Sequence, residues 1–295
     1  MEYKYIRDNL ENTYGFLELQ DKILEIMVDV DKLCSENNID YCLMGGSALG
    51  AKRHGGFIPW DDDLDIFMTP DNYEKFRNIF LQKGNKEKYY LQEFGTKNGM
   101  VTISKIRANN TMYIEELLKD WDMHHGIYID IFILHNCPNN KLKQLWQFFW
   151  AKYVITKGMS IKKYNRAKGI RKIVLSIADM LPEKFLINFG LKQVYKYRNI
   201  NSDYFCNFMG KAVFKNAIYK KEWFIPTEYV SFEKMKLKVP VKLHEFLKER
   251  FGDYMQIPSK ERIKWEQHAE IWDTKKDFRE YVRNIENFRD EEKLL

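Results

Sequence analysis

The chain has 295 residues, 45% of them hydrophobic and 31% charged, with a formal net charge of +6. That balance excludes a disordered polyelectrolyte; the mild positive charge suits an anionic ligand such as a nucleotide and does not point to nucleic acid. Cys34, Cys42, Cys137 and Cys206 stand too far apart for a disulfide framework or a paired zinc motif. No run of about 18 apolar residues is present to span a bilayer, and the polar start MEYKYIRDNLENTYG is unlike a signal peptide, so a cytoplasmic location is expected.

In chain order, Ile23, Met27, Val30 and Cys34 recur at helical spacing and predict an amphipathic helix over 16–36. YCLM (41–44) then reads as a short buried strand. Gly45-Gly46-Ser47 turns the chain into a small helix, SALGAKRH, and DLDIFM (63–68) is a strand. Thr69 is placed to cap the next helix, with Pro70 at its first position. YYLQEF (89–94) and VTISKIR (101–107) read as strands, and 127-IYIDIFIL-134 as a strand buried on both faces. The expected fold class is α/β (α+β): a mixed sheet with helices over 1–138, then a mainly helical accessory region, 139–295. In that region the pattern is helical to about 200, mixed around Pro226, Pro240 and Pro258, and a polar helix to the C-terminus.

Two segments invite functional readings. Between 141 and 172, Trp146, Phe148, Phe149 and Trp150 interleave with lysine and arginine. This suits peripheral contact with a membrane, but more readily the solvated basic exterior of a core helix. The second segment is 61-DDDLD-65. In a strand Asp63 and Asp65 point the same way, and Asp61 joins them if the chain is already extended, while Asp62 points away. Such carboxylates can converge on hard cations. An EF-hand loop fails on detail, with Ile66 at its glycine position and Asn72 at its glutamate position. A solvated acidic turn remains the bland alternative.

The glycines ahead of the strand favour the metal reading. Backbone N–H groups at a helix start bind phosphate, and Ser47 adds a hydroxyl; followed by Asp-Leu-Asp on the next strand, this is a nucleotidyltransferase signature. Asp130, inside an apolar strand, needs a metal, an arginine or a proton to offset its burial. Lys105 and Arg107 share one strand face and either aim at a phosphate or pair with surface acids. Arg53 and His54 close the small helix, where His54 contacts a nucleotide or caps carbonyls.

GGSALGAKRHGGFIPWDDDLDI resembles the hallmark of the LicD family, phosphocholine transferases related to fukutin-type sugar phosphotransferases. The likeness is dense over 41–76 and continues in 103-ISKIRANNT-111, in 126-GIYIDIF-132 and, more weakly, in 251-FGDYMQIP-258 with the later His268. The chain departs from the family pattern at Ile133, at His135 and in 232-FEKM-235. The resemblance implies a nucleotidyltransferase-like fold that transfers a phosphoryl-alcohol, phosphocholine foremost, from a CDP-activated donor and releases CMP. The acceptor would be a hydroxyl of a cell-surface glycan such as lipopolysaccharide or teichoic acid, carried on lipid while it is built. Asp61, Asp63 and Asp65 would hold Mg²⁺ (or Mn²⁺), and Asp63, Asp65 and Asp130 would be catalytic. Gly45, Gly46, Ser47, Arg53, His54, Lys105 and Arg107 would hold the donor. The alternatives are transfer of a nucleotide to a small molecule or RNA end, and a non-catalytic basic module binding glycans or membranes.

Overall fold

The computed structural model describes residues 12–96, 99, 102–116, 118–119, 121–161, 176 and 183–282. Its centre is a five-stranded mixed sheet in the order β1-β2-β6-β4-β3, formed by Cys42–Leu43, Asp65–Met68, Tyr128–Ile133, Ser104–Ala108 and Tyr89–Gln92. β2 and β6 are parallel; the other neighbours are antiparallel. β6 is buried along nearly its whole length, as its apolar run, interrupted by Asp130, predicts.

Helix α1 (Leu17–Glu36) turns Ile23, Met27, Val30 and Cys34 inward and lies across β4 and β6, beside α3 (Pro70–Lys83). The Thr69 hydroxyl accepts from the Asn72 N–H, so the cap and Pro70 start α3 where the sequence places them. Helix α2 (Gly45–His54) starts two residues earlier than expected and takes both glycines into its first turn.

The C-terminal half is less helical than its periodicity suggests. After α4 (Lys141–Ile161) and α5 (Glu183–Tyr195), strands Tyr204–Cys206 (β8) and Ile218–Lys220 (β9) join His135–Cys137 (β7) in a three-stranded sheet. Thr227–Phe232 (β10) and Met235–Pro240 (β11) form a hairpin, followed by α6 (Leu243–Phe251) and α7 (Lys260–Glu266). Ala269–Asp273 (β12) pairs antiparallel with β5 (Met112–Glu115) ahead of the expected terminal helix, of which 278–282 are helical and 283–295 lie outside the described residues.

These late segments are fastened to the early motif by named contacts. Asp62, fully buried, accepts from the backbone N–H of His268 (2.6 Å) and of Ala269 (2.7 Å). Glu233, at the hairpin turn, accepts from the Phe57 N–H (3.0 Å), and Phe57 packs edge-on against Phe232. Phe67, two residues beyond Asp65 and on the same strand face, meets Phe224 and Phe246. The main apolar core accordingly draws on residues from Phe16 to Ile263.

Two expectations follow, both read from urea unfolding midpoints. A Cβ on Gly50 would stand 2.4 Å from the Gly56 carbonyl oxygen, so Gly50→Ala should cost about 1–3 kcal/mol; an unchanged midpoint would mean that α2 and its following loop do not cross this closely. Asp62→Ala leaves two amides without their acceptor and should cost about 2–4 kcal/mol. A loss below about 0.5 kcal/mol, the scale of an ordinary surface substitution, would show that the clasp does not hold β12.

Candidate active site

The sheet register decides what the aspartates meet. Asp65 pairs with Asp130 across β2 and β6, Asp130 with Lys105 across β6 and β4, and Lys105 with Gln92 across β4 and β3. Four side chains therefore form one transverse row, spaced by the inter-strand distance of about 4.8 Å. The Asp130 N–H donates to the Leu64 carbonyl, so the ladder continues one residue before β2. The extended chain then puts Asp63 on the same side as Asp65, while Leu64 and Ile66 are wholly buried on the other.

Asp61 lies against the first turn of α2. A Cβ on Gly46 would lie 2.7 Å from Asp61 Oδ2, and one on Gly45 3.4 Å from Asp65 Oδ2. Gly46 is thus glycine because a carboxylate occupies the space of its side chain; Gly45 also has a left-handed φ of +53°. Ser47 Oγ accepts from the Asp65 N–H at 2.8 Å, which ties the helix start to the strand and leaves the hydroxyl proton available to a ligand.

Electrostatically the arrangement is short of positive charge. Burial, then the charges of Asp63 and Asp62, push the Asp61 carboxyl well above the usual range. Burial, then Asp63, Asp130 and Asp61, do the same to Asp65. Asp63 is pushed up to about 6, by burial and by Asp62 and Asp130, against the opposing pull of His268. Asp130 is raised by burial, with Lys105 opposing. Among the described residues Asp65 Oδ1 is buried without a hydrogen-bond partner, a costly state for a carboxylate unless a cation satisfies it. The donor set is all-oxygen and anionic, which fits a hard divalent ion.

A tighter grouping, Asp62, Asp63 and His268, also has the ligand spacing for a metal. Asp62 is poorly suited to it, because one of its oxygens takes two backbone amides and the other lies 3.2 Å from His268 Nδ1. His268 is held by this contact at the entry to β12, not on a helix. The hydrogen bond to Asp62 raises its pKa against burial, and Asp63, 3.6 Å away, adds to the rise.

The remaining predicted residues fall into two groups. Lys105 Nζ lies 2.7 Å from Asp130 Oδ1, 4.0 Å from Glu115 Oε1 and 3.3 Å above the Tyr128 ring. Arg107 stands over the same ring, fully buried, and donates to Gln92 Oε1 and the Gly126 carbonyl. Among the described residues neither pairs with an exposed acid. Arg53 and His54 are also buried: Arg53 Nε donates to His54 Nε2, and its Nη1 donates to the carbonyls of Tyr254 and Gln256. Burial and Arg53 lower His54 to about 4, so its ring is a neutral acceptor. The pair ties α2 to the 251–258 segment, under Trp60. Sequence reasoning missed Glu115, whose strand is a short MYIE run, and the Asp62 clasp, whose partners lie 206 residues away.

Residues 38–168 match the family model described as the LicD/FKTN/FKRP nucleotidyltransferase domain. Over 260 residues the chain is 30% identical to the lipopolysaccharide cholinephosphotransferase LicD of Haemophilus influenzae, covering 81% of this chain and 90% of that one. An uncharacterized protein of Rickettsia prowazekii is 50% identical over 111 residues, 36% of this chain and 42% of its own. A second, from Rickettsia typhi, is 42% identical over 60 residues, 20% of this chain and 19% of its own. A likeness that runs through 90% of a LicD enzyme and includes the segment bearing the acid row makes this chain a member of the LicD family of phosphotransferases.

Proposed function

We propose that the protein transfers phosphocholine from CDP-choline to a hydroxyl of a lipid-carried cell-surface glycan and releases CMP. The observation that carries this reading is the transverse row of half-buried Asp65 with buried Asp130 and Lys105, its Asp65 end against the glycine start of α2. The choice of choline rests on the Haemophilus relative, whose name states cholinephosphate transfer to lipopolysaccharide.

Asp61, Asp63 and Asp65 are the residues to hold Mg²⁺, whose charge when bound would offset both the carboxylates and the donor diphosphate. The N–H groups at the start of α2 and the Ser47 hydroxyl bind donor phosphate oxygens. Asp130 accepts the proton of the acceptor hydroxyl as that oxygen attacks phosphorus and the bond to CMP breaks. Lys105, already against Asp130, favours its ionised form against the pull of burial and stabilises charge on the transferred phosphoryl group. The region after residue 138 completes the site by holding Asp62 and His268 in place.

The test is CMP release from CDP-choline with Mg²⁺ and a glycan acceptor, beside CDP-ethanolamine, CDP-glycerol and CDP-ribitol. CDP-choline should turn over fastest; pyrophosphate release from a nucleoside triphosphate, with no CMP from any CDP-alcohol, would replace this reading with nucleotidyl transfer. Asp65→Asn should lower turnover on the order of a thousandfold and yet raise the melting temperature of the metal-free protein, because it removes one of the crowded charges. Near-normal turnover at saturating Mg²⁺ would remove Asp65 from the metal site.

The raised carboxyl pKa values also set a pH dependence. A carboxyl with a higher pKa folded than unfolded stabilises fully below its unfolded value, about 3.9. That contribution is lost as pH rises through the folded value, about 6 for Asp63. Mg²⁺ should therefore raise the melting temperature more at pH 7.5 than at pH 5, as read by differential scanning fluorimetry. Equal shifts at both pH values would count against metal binding by the row.

A further inference from the structure

The surface of α4 and α5 is at odds with a helix pair that only packs on a core. Leu142, Leu145, Trp146 and Phe149 recur at helical spacing along one stripe of α4 and are 76%, 43%, 45% and 56% exposed. The stripe continues onto the neighbouring helix through ring contacts, Phe149 to Trp150 at 5.4 Å and Trp150 to Phe189 at 5.0 Å. Phe189 is itself 38% exposed. Trp146 is oriented by a hydrogen bond from its Nε1 to Gln193 Oε1 on α5. The buried side of α4 has its own partners: Ala151 and Val154 lie in the second apolar core with Cys137, Cys206 and Phe208. The exposed aromatics are therefore a second face, not a loosely packed first one.

Charge says what covers it. Lys141 and Lys143 flank the stripe on α4, and Lys192 and Lys196 are exposed on and just after α5. No Asp or Glu occurs from Lys141 to Ala178, a stretch whose sequence also carries Lys162, Lys163, Arg166, Lys168, Arg171 and Lys172. A face shared with a second protein would be expected to carry charges of both signs around its rim. Apolar rings, an indole and cations of one sign suit a bilayer interface, where aromatic rings sit at headgroup depth and lysines meet anionic lipid.

We infer that the α4–α5 face docks the protein on the surface of an anionic lipid bilayer. No helix among the described residues is long and apolar enough to cross a membrane, so attachment by this face would be peripheral and reversible. The inference is independent of the donor assignment, since binding is read with neither nucleotide nor acceptor present.

The experiment is co-sedimentation of the full chain with vesicles of phosphatidylcholine alone and with about one third phosphatidylglycerol, at low and high salt. The protein should pellet with anionic vesicles at low salt and be largely released at high salt. Trp146→Ser with Phe149→Ser should reduce the bound fraction at least tenfold, while CD spectrum, melting temperature and CMP release with a water-soluble acceptor stay unchanged. Lys141→Gln with Lys143→Gln should weaken binding to anionic vesicles by up to about fivefold per neutralised lysine. Negligible pelleting with both vesicle types at low salt, or equal pelleting of wild type and the aromatic double variant, would overturn the inference. So would a dimer in sedimentation velocity that the aromatic variant dissociates while vesicles bind neither form, which would make this face a contact between copies.

Discussion

Repulsion among Asp61, Asp63, Asp65 and Asp130 is the constraint on which the rest of the molecule depends. Each is raised in pKa by burial, so the fold bears a standing electrostatic cost at its centre. Lys105 offsets part of it, through Asp130 alone at contact distance. A sheet is what makes this tolerable. Its ladder fixes the spacing of Asp65, Asp130 and Lys105 through backbone hydrogen bonds, which cannot relax by rotating a side chain away. A loop carrying the same residues would splay them into water. Strand geometry holds them short of that, poised for a ligand that brings positive charge and accepts phosphate on its other side.

Around that centre, most of the sequence motif serves to hold other parts of the motif. Arg53 anchors α2 to the 251–258 backbone, Gly50 lets α2 cross its own following loop, and Glu233 closes that loop from the hairpin. Glu233 does so with a left-handed φ of +51°, and Gly56 is bare because the Glu233 carboxylate lies where its Cβ would be. Few of these residues face the site. They keep the start of α2 in register with the acid row, and a shift of one ångström there is enough to weaken catalysis.

Much of this is legible in local sequence signals. The period of α1, the Thr69-Pro70 cap and the apolar run of β6 are written in neighbouring residues; the alternation that would turn Asp62 away from Asp63 does not hold, because the strand starts only at Asp65 and both carboxylates stand within 4 Å of His268 Nδ1. What a side chain meets from elsewhere in the chain was not legible. Lys105 and Arg107 share a face, but only the pairing of β4 with β6 gives one of them Asp130, and only tertiary burial makes the other a brace. Arg53 and His54 look like ligand contacts beside a phosphate loop until the 251–258 segment covers them. The strands β5 and β12 are short, and their sequences, MYIE and AEIWD, carry little periodicity; they exist because they pair with one another.

The clasp between Asp62 and the His268–Ala269 backbone spans 206 and 207 residues of sequence. At synthesis rates of about 5–20 residues per second, roughly 10–40 s separate the appearance of the carboxylate from that of the amides that satisfy it. Throughout that interval the nascent chain carries three adjacent aspartates with no backbone to pair the middle one. The five strands of the central sheet all lie at or before β6, whereas the amides that clasp Asp62 come from residues 268 and 269. Maturation of the site is thus a late event in the life of each molecule, timed by chain length and completed by two peptide N–H groups.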